Sequence, residues 1–219
     1  VIEQILPACA LAVEAWQDHL EAQLSPQEQA MVAGAVEKRR REFTTARMCA
    51  HTALEKLGRP VSSILTGERG EPLWPSGVVG SITHCDGYRA CAVARASELL
   101  TIGIDAEPNA ALPDGLLGDI ARPEELPALR RLAAELPQVH WDRLLFSAKE
   151  SVYKAWFPLA KRWLGFEDAT LALDPSAGTF IATLLVEGPT LSDGPLRRFS
   201  GRWKLDNGIL ATAVSMTVA

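Results

Sequence analysis

The spacing of apolar positions switches between a helical and an alternating period along the chain, and each switch marks an element. Ser25-Pro26-Gln27-Glu28 opens the first clear helix: Ser25 can cap it, Pro26 suits its first position and Glu28 completes a capping box. Phe43, Ala46, Ala50, Ala53, Leu54 and Leu57 then recur at helical spacing. They predict a second helix from about Glu37 to Leu57, stopped by Gly58. ILTGERGEPLWPSG is a Gly- and Pro-punctuated hairpin or loop. Three strands follow it, VVGSITH, YRACAVA and LLTIGIDAE, the first two paired through CDG. The earlier stretch ACALAVEAW reads equally as an opening strand or a short helix.

Pro108, Pro113, Pro123, Pro127 and Pro137 break residues 108–140 into loops with at most one short helix expected. Helical spacing resumes from near Trp141 to Trp156 or a little beyond, with Pro158 disturbing the end. Leu145, Ala148, Val152, Trp156 and Leu159 form its apolar stripe. The C-terminal stretch alternates through ATLALD, TFIATLLVE, RFSGRWKL and ILATAVSM, with DNG as a hairpin signal between the last two. The order is helix then strands, twice. EFTTARMCAHTAL and LFSAKESVYKAW even echo one another when aligned on Phe43 and Phe146. The pattern predicts an α+β fold of two similar halves, residues 1–103 and 104–219.

Composition narrows the function classes. The chain has 219 residues, 47% of them hydrophobic, enough to bury a sizeable core. A formal net charge of −5 argues against nonspecific nucleic-acid binding, so an anion site would need a local basic patch. Cys9, Cys49, Cys85 and Cys91 lack metal or redox spacing and read as reduced thiols of a cytoplasmic protein. Neither a secretion signal nor an apolar run of about 18 residues is evident, so no membrane association is expected.

Candidate chemistry gathers in two places. In GIDAE, Asp105 and Glu107 are two apart on a strand and project to one face. Paired carboxylates repel unless a cation separates them, and oxygen-only ligation suits Mg²⁺ or Mn²⁺ better than zinc. In FSAKESVYKAW, Glu150 and Lys154 lie opposite the apolar stripe. Alone, such a pair reads equally as a surface ion pair worth about 0.2–0.5 kcal/mol. With Asp105 and Glu107, Glu150 would supply a third carboxylate. Basic groups lie nearby in the pattern: Arg40, Thr44, Arg47 and His51 share a helix stripe, with Arg39 beside it. Arg69 sits in a Gly-flanked loop, and Thr83 and His84 end a strand. An acidic triad ringed by Arg, Lys and His suits metal-assisted chemistry on a phosphorylated ligand.

GSITHC, GIDAE and FSAKESVYKAWFPLAKRWLGFEDA, in that order and spacing, resemble the 4′-phosphopantetheinyl transferases. The similarity covers nearly the whole chain and is to the longer, pseudo-dimeric type, with RGEPLWP and KRWLGFEDA in the flavour of its actinobacterial branch. The resemblance implies two similar α+β halves with coenzyme A bound in the cleft between them. It implies Mg²⁺ held by Asp105, Glu107 and Glu150, and phosphates met by Lys149 and Lys154, with Lys154 neutralising the transferring group. Thr83 and His84 would contact the nucleotide end, and Arg39, Arg40 and Arg47 the other phosphates. The products would be a phosphopantetheinylated acyl or peptidyl carrier protein and 3′,5′-ADP, with Glu150 as base and the enzyme monomeric. The Pro-rich stretch 108–127 is a candidate carrier-docking rim. Many relatives carry Gly-Lys-Pro where this chain has Gly70-Glu71-Pro72, which leaves Arg69 as the available cation there. Two other classes share these parts: a Mg²⁺-dependent pyrophosphatase or nucleotide hydrolase, and a non-catalytic coenzyme A-binding module.

Overall fold

A computed structural model describes residues 1–19 and 21–218. After a 3-10 turn at Ile2–Ile5 come strand β1 (Leu11–Ala15) and helices α1 (Pro26–Met31) and α2 (Glu37–Lys56). A short hairpin of β2 (Leu65–Thr66) and β3 (Pro72–Leu73) leads to β4 (Val78–Cys85), β5 (Tyr88–Arg95) and β6 (Leu99–Pro108). Helices α3 (Leu116–Ile120), α4 (Leu126–Glu135) and α5 (Trp141–Ala160) follow. The C-terminal strands are β7 (Ala169–Asp174), β8 (Thr179–Leu184), the short β9 (Thr190–Leu191) and β10 (Gly194–Pro195), β11 (Arg198–Asp206) and β12 (Ile209–Thr217).

The architecture is α+β, with two principal antiparallel sheets: β1-β5-β4, and β6-β12-β11-β8-β7. Local chemistry accounts for most of it. Ser25 Oγ accepts from the Glu28 amide while the Glu28 carboxylate accepts from the Ser25 amide, so the capping box forms as spaced. ACALAVEAW resolves to a strand because residues 11–15 pair with β5. The β11–β12 hairpin turns on Asn207 and Gly208, both at positive φ (49° and 77°), the backbone a two-residue turn of this twist requires.

The proline-rich segment holds two helices rather than the single short one expected. Its prolines punctuate helices instead of preventing them: Pro127 occupies the first turn of α4, where its missing N–H costs nothing, and Pro137 follows the helix end. Leu129 and Leu132 then anchor α4 on the core. Pro158 likewise does not cut α5 short. It sits in the last turn, and the helix ends at Lys161, whose φ of 51° is left-handed.

Three cores hold these layers. Trp141, Trp156, Phe180 and Phe199 bury between α5 and the larger sheet. Cys49, Ala50, Leu54 and Val93 pack α2 on the smaller sheet. Between the sheets, Ile102, Ile104 and Ala106 of β6 meet Ala90, Ala92 and Ala94 of β5. Each large side chain so buried contributes about 1.5–3 kcal/mol.

Where the sheets meet, β4 and β6 lie side by side and are joined by hydroxyls. The amides of Ile104 and Ala106 donate to Ser81 Oγ and Thr83 Oγ1, each at 3.1 Å. Residue 103, the expected junction, lies within this seam strand. On its other face β6 carries α5 at close range. A Cβ on Gly103 would run into the backbone of Ser151 and Ala155, and Thr101 Oγ1 donates to the Ala155 carbonyl at 2.8 Å. That crossing determines what α5 can present to the C-terminal end of β6.

Candidate active site

Asp105 and Glu107 emerge from β6 toward α5, as the strand period requires. Asp105 is buried. Its Oδ1 accepts from Lys154 Nζ at 2.7 Å and from Thr83 Oγ1 at 3.2 Å, while its Oδ2 is buried and finds no partner among the described residues. Glu107 Oε2 accepts from Arg143 Nη1 at 3.0 Å, and Arg143 also donates to the carbonyls of Ala110 and Ala111. Burial and the neighbouring Asp105 push the Glu107 carboxyl up to about 7, against the pull of Arg143.

Glu150 projects from α5 on the same side as Lys154 but does not pair with it, since Lys154 turns to Asp105. Burial raises the Glu150 carboxyl; Lys154 opposes that rise and Asp105 adds to it. Glu150 therefore stands as a proton-accepting group with raised basicity. The structure brings Asp105, Glu150 and Lys154 together and sets Glu107 against Arg143.

Glu150, Arg69 and Tyr153 border two adjoining cavities of about 500 Å³ and 340 Å³. The larger runs between α5 (Lys154, Phe157) with the Lys161 that follows it and the β3–β4 region (Leu73, Trp74, Val79, Ile82). The smaller is lined mainly by Val152, Trp163, Leu164 and Phe166. Tyr153 Oη is buried where the two adjoin, without a partner among the described residues.

The loop carrying Arg69 is closed by Glu71, which accepts the Arg69 amide on Oε2 at 3.0 Å and the Gly67 amide on its carbonyl at 2.8 Å. Glu71 thus tightens the turn and leaves the Arg69 side chain as the loop's cation at the cavities.

Arg39 and His84 meet at the open end of β4: Arg39 Nη1 donates to His84 Nε2 at 2.6 Å. Burial and Arg39 lower the His84 imidazole to about 4, against the pull of Glu42. Near neutral pH the ring is uncharged, its proton on Nδ1 toward Glu42 Oε2 at 3.9 Å.

Several of the expected ligand contacts are engaged within the protein itself. Lys149 is held inside the fold. Its ammonium is buried and donates to Glu125 Oε2 (2.9 Å) and to the carbonyls of Ile120 (2.9 Å), Phe166 (2.8 Å) and Ala169 (3.1 Å). The reason is rotational: one position before Glu150, it falls on the side of α5 facing α3 and β7. The Thr83 hydroxyl accepts from the seam amide of Ala106 and donates to the Asp105 carboxylate. Arg40 and Arg47 do not join Arg39 and His84. Arg40 Nη2 donates to the Ala33 carbonyl at 2.6 Å, and the buried Arg47 reaches Thr66 and Glu28.

Sequence reasoning also passed over Arg143, Tyr153, Trp163 and Glu125. Arg143 had a signal: it precedes Glu150 by seven residues, two turns along the same helix face. Glu125 had none, since its partners Lys149 and Leu171 are 24 and 46 residues away.

A carboxylate-lysine cluster thus lies at the junction of the two sheets and opens on a divided crevice. Comparison with known proteins finds family matches: the 4′-phosphopantetheinyl transferase N-terminal domain matches residues 27–94, and the 4′-phosphopantetheinyl transferase superfamily matches residues 101–203. The chain is 51% identical over 219 residues to the 4′-phosphopantetheinyl transferase Svp of Streptomyces mobaraensis, covering 99% of this chain and 89% of that protein. It is 48% identical over 223 residues to the 4′-phosphopantetheinyl transferase Npt of Nocardia iowensis, covering 98% and 99%. It is also 48% identical over 194 residues to the 4′-phosphopantetheinyl transferase PptT of Mycobacterium tuberculosis, covering 86% and 84%. The chain belongs to the 4′-phosphopantetheinyl transferase superfamily. Among the described residues no helix is long and apolar enough to cross a membrane.

Proposed function

We propose that this enzyme transfers the 4′-phosphopantetheine of coenzyme A to a serine hydroxyl of acyl and peptidyl carrier proteins, releasing 3′,5′-ADP. The observation that carries the reading is the meeting of Asp105, Glu150 and Lys154 beside two cavities that share Glu150. Coenzyme A is elongated, charged at one end and weakly polar at the other. A crevice with Arg69, Lys154 and Lys161 along one part and Trp163, Leu164 and Phe166 along another suits such a molecule.

The chemistry follows from these groups. The carrier serine oxygen bonds to the β-phosphorus of coenzyme A as the bridging phosphorus–oxygen bond to the α-phosphate breaks. The hydroxyl holds its proton near neutral pH, so a base must accept it as attack proceeds. Glu150 is that base, its carboxylate made more basic by burial. Lys154, with 27% of its side chain exposed, moves from Asp105 to the phosphates and offsets charge on the leaving oxygen.

The donor set also fits a divalent cation in chemistry. Asp105 offers a buried oxygen without a partner, and Glu107 and Glu150 both feel the repulsion of Asp105 that such a cation relieves. Asp105 would hold it, with Glu150 and Glu107 as the remaining ligands. Among the described residues no group of three ligands is gathered at ligation distance, and Glu107 is held by Arg143 instead. Bound there, Mg²⁺ or Mn²⁺ would supply charge neutralisation at the pyrophosphate.

Carrier docking is assigned to the rim at residues 108–127, which exposes Leu116 and whose Ala110 and Ala111 carbonyls accept from the same Arg143 that holds Glu107. The test of the whole reading is incubation with coenzyme A, Mg²⁺ and an apo carrier protein. A mass gain of one phosphopantetheine on the carrier is expected. Hydrolysis of coenzyme A with the carrier unchanged would overturn the reading.

A further inference from the structure

The seam between the sheets contains two hydroxyls with different duties. Ser81 Oγ and Thr83 Oγ1 each accept a β6 amide at 3.1 Å, from Ile104 and Ala106. Only Thr83 does more: its hydroxyl donates to Asp105 Oδ1 at 3.2 Å. Accepting from Ala106 on one side leaves its single proton for Asp105 on the other, so the donor direction is set by the backbone. Thr83 is 3% exposed and Asp105 5%, so neither side chain is free to turn.

We propose that Thr83 is a positioning residue for Asp105. It holds the carboxylate by Oδ1 so that Oδ2, buried and without a partner, is aimed as a cation ligand. The proposal rests on the divalent-cation reading above. Lys154 also contacts Oδ1, but it is the more exposed partner and leaves when it serves the phosphates. Thr83 then remains the contact that orients Asp105. Side chains that orient metal-binding carboxylates in this way are worth about 10–100-fold in metal affinity.

Three variants separate orientation from seam packing. Thr83→Val keeps the shape and removes the hydroxyl, Thr83→Ser restores it, and Ser81→Ala removes the seam's other hydroxyl without touching Asp105. Mn²⁺ binding in the presence of coenzyme A is read from the electron paramagnetic resonance of free Mn²⁺. Thr83→Val should bind Mn²⁺ about tenfold or more weakly, with Thr83→Ser and Ser81→Ala within about twofold of the unmodified enzyme. Coenzyme A affinity in EDTA should be the same for all four proteins.

Unchanged Mn²⁺ affinity in Thr83→Val overturns the proposal, as does an equal loss in Ser81→Ala, which would make the effect one of seam packing. Weaker coenzyme A binding by Thr83→Val in EDTA also overturns it, because the hydroxyl would then serve the substrate directly. If the unmodified enzyme binds no Mn²⁺, the cation reading falls and takes this proposal with it. If it binds and Thr83→Val matches it, only this proposal falls. Should Thr83→Val not fold, Thr83→Cys replaces it. The thiol fills the space but donates weakly, so full Mn²⁺ affinity there overturns the proposal.

Discussion

Helices α2 and α5 are both 20 residues long and each lies on one of the two sheets, yet they put equivalent positions to opposite uses. Aligned on Phe43 and Phe146, Arg47 matches Glu150, His51 matches Lys154 and Ala46 matches Lys149. On α2 the polar pair turns inward. Arg47 is buried over the Phe43 ring at 4.4 Å and its Nη2 donates to Thr66 at 3.2 Å, while His51 Nε2 donates to the buried Glu28 at 2.9 Å. These contacts fasten α2 to α1 and to β2. On α5 the polar pair faces the crevice, and the fastening is done one position earlier by Lys149. A helix can thus serve chemistry on one face only when other residues take over its anchoring. Burying an ammonium is costly unless every proton finds an acceptor, and Lys149 finds four.

The largest expected effect is on the crevice face of α5. Glu150→Gln should lower kcat by about 10²–10⁴-fold, the usual worth of a general base, with unchanged Tm and circular dichroism. Normal turnover would remove the functional contrast between the helices.

Next comes the anchoring face. Lys149→Met should cost about 3–5 kcal/mol in denaturant unfolding by leaving Glu125 as an unpaired buried charge. KM for coenzyme A should not change in the fraction that remains folded. A stable variant with a raised KM would return Lys149 to the phosphates.

Gly103→Ala tests the crossing that aims α5. Its Cβ meets the backbone of Ser151 and Ala155, so about 1–3 kcal/mol of stability should go, and kcat with it as Lys154 draws away from Asp105. Unaltered kcat would show that the approach at Gly103 does not govern the site.

The smallest effect is a matter of pH. The folded state holds His84 at about 4, below the ordinary 6.5, so between those values the unfolded chain binds a proton that the folded chain does not. Stability carried by neutral His84 is therefore complete above about 6.5 and declines as pH falls toward 4. His84→Gln should flatten that part of the Tm-versus-pH curve, and an unchanged curve would assign the acid sensitivity elsewhere.

Much of this was legible in residue order because it depends on near neighbours. The Ser25–Glu28 capping box, the CDG and DNG turns and the alternation that points Asp105 and Glu107 one way are all settled within a few residues. Helical periodicity likewise put Glu150 and Lys154 on the polar side of α5. Periodicity said nothing of Lys149's partner, because a helix's apolar stripe carries no record of a glutamate 24 residues earlier. The prolines of residues 108–140 misled instead: they act at helix ends, and single-residue signals do not tell an end from an interruption.

By itself, then, the sequence determined which residues share a strand or helix face, where the turns fall, and which groups could do phosphate chemistry. Partner choice was decided by tertiary structure. Lys154 bonds to Asp105 rather than to Glu150 one turn away, and Arg143 takes Glu107. Thr83 spends its hydroxyl on the seam and on Asp105. These choices require α5 to cross β6 at Gly103 and β4 to lie beside β6. A charged group pairs with whatever the fold brings within about 3 Å, and sequence separation does not enter that distance.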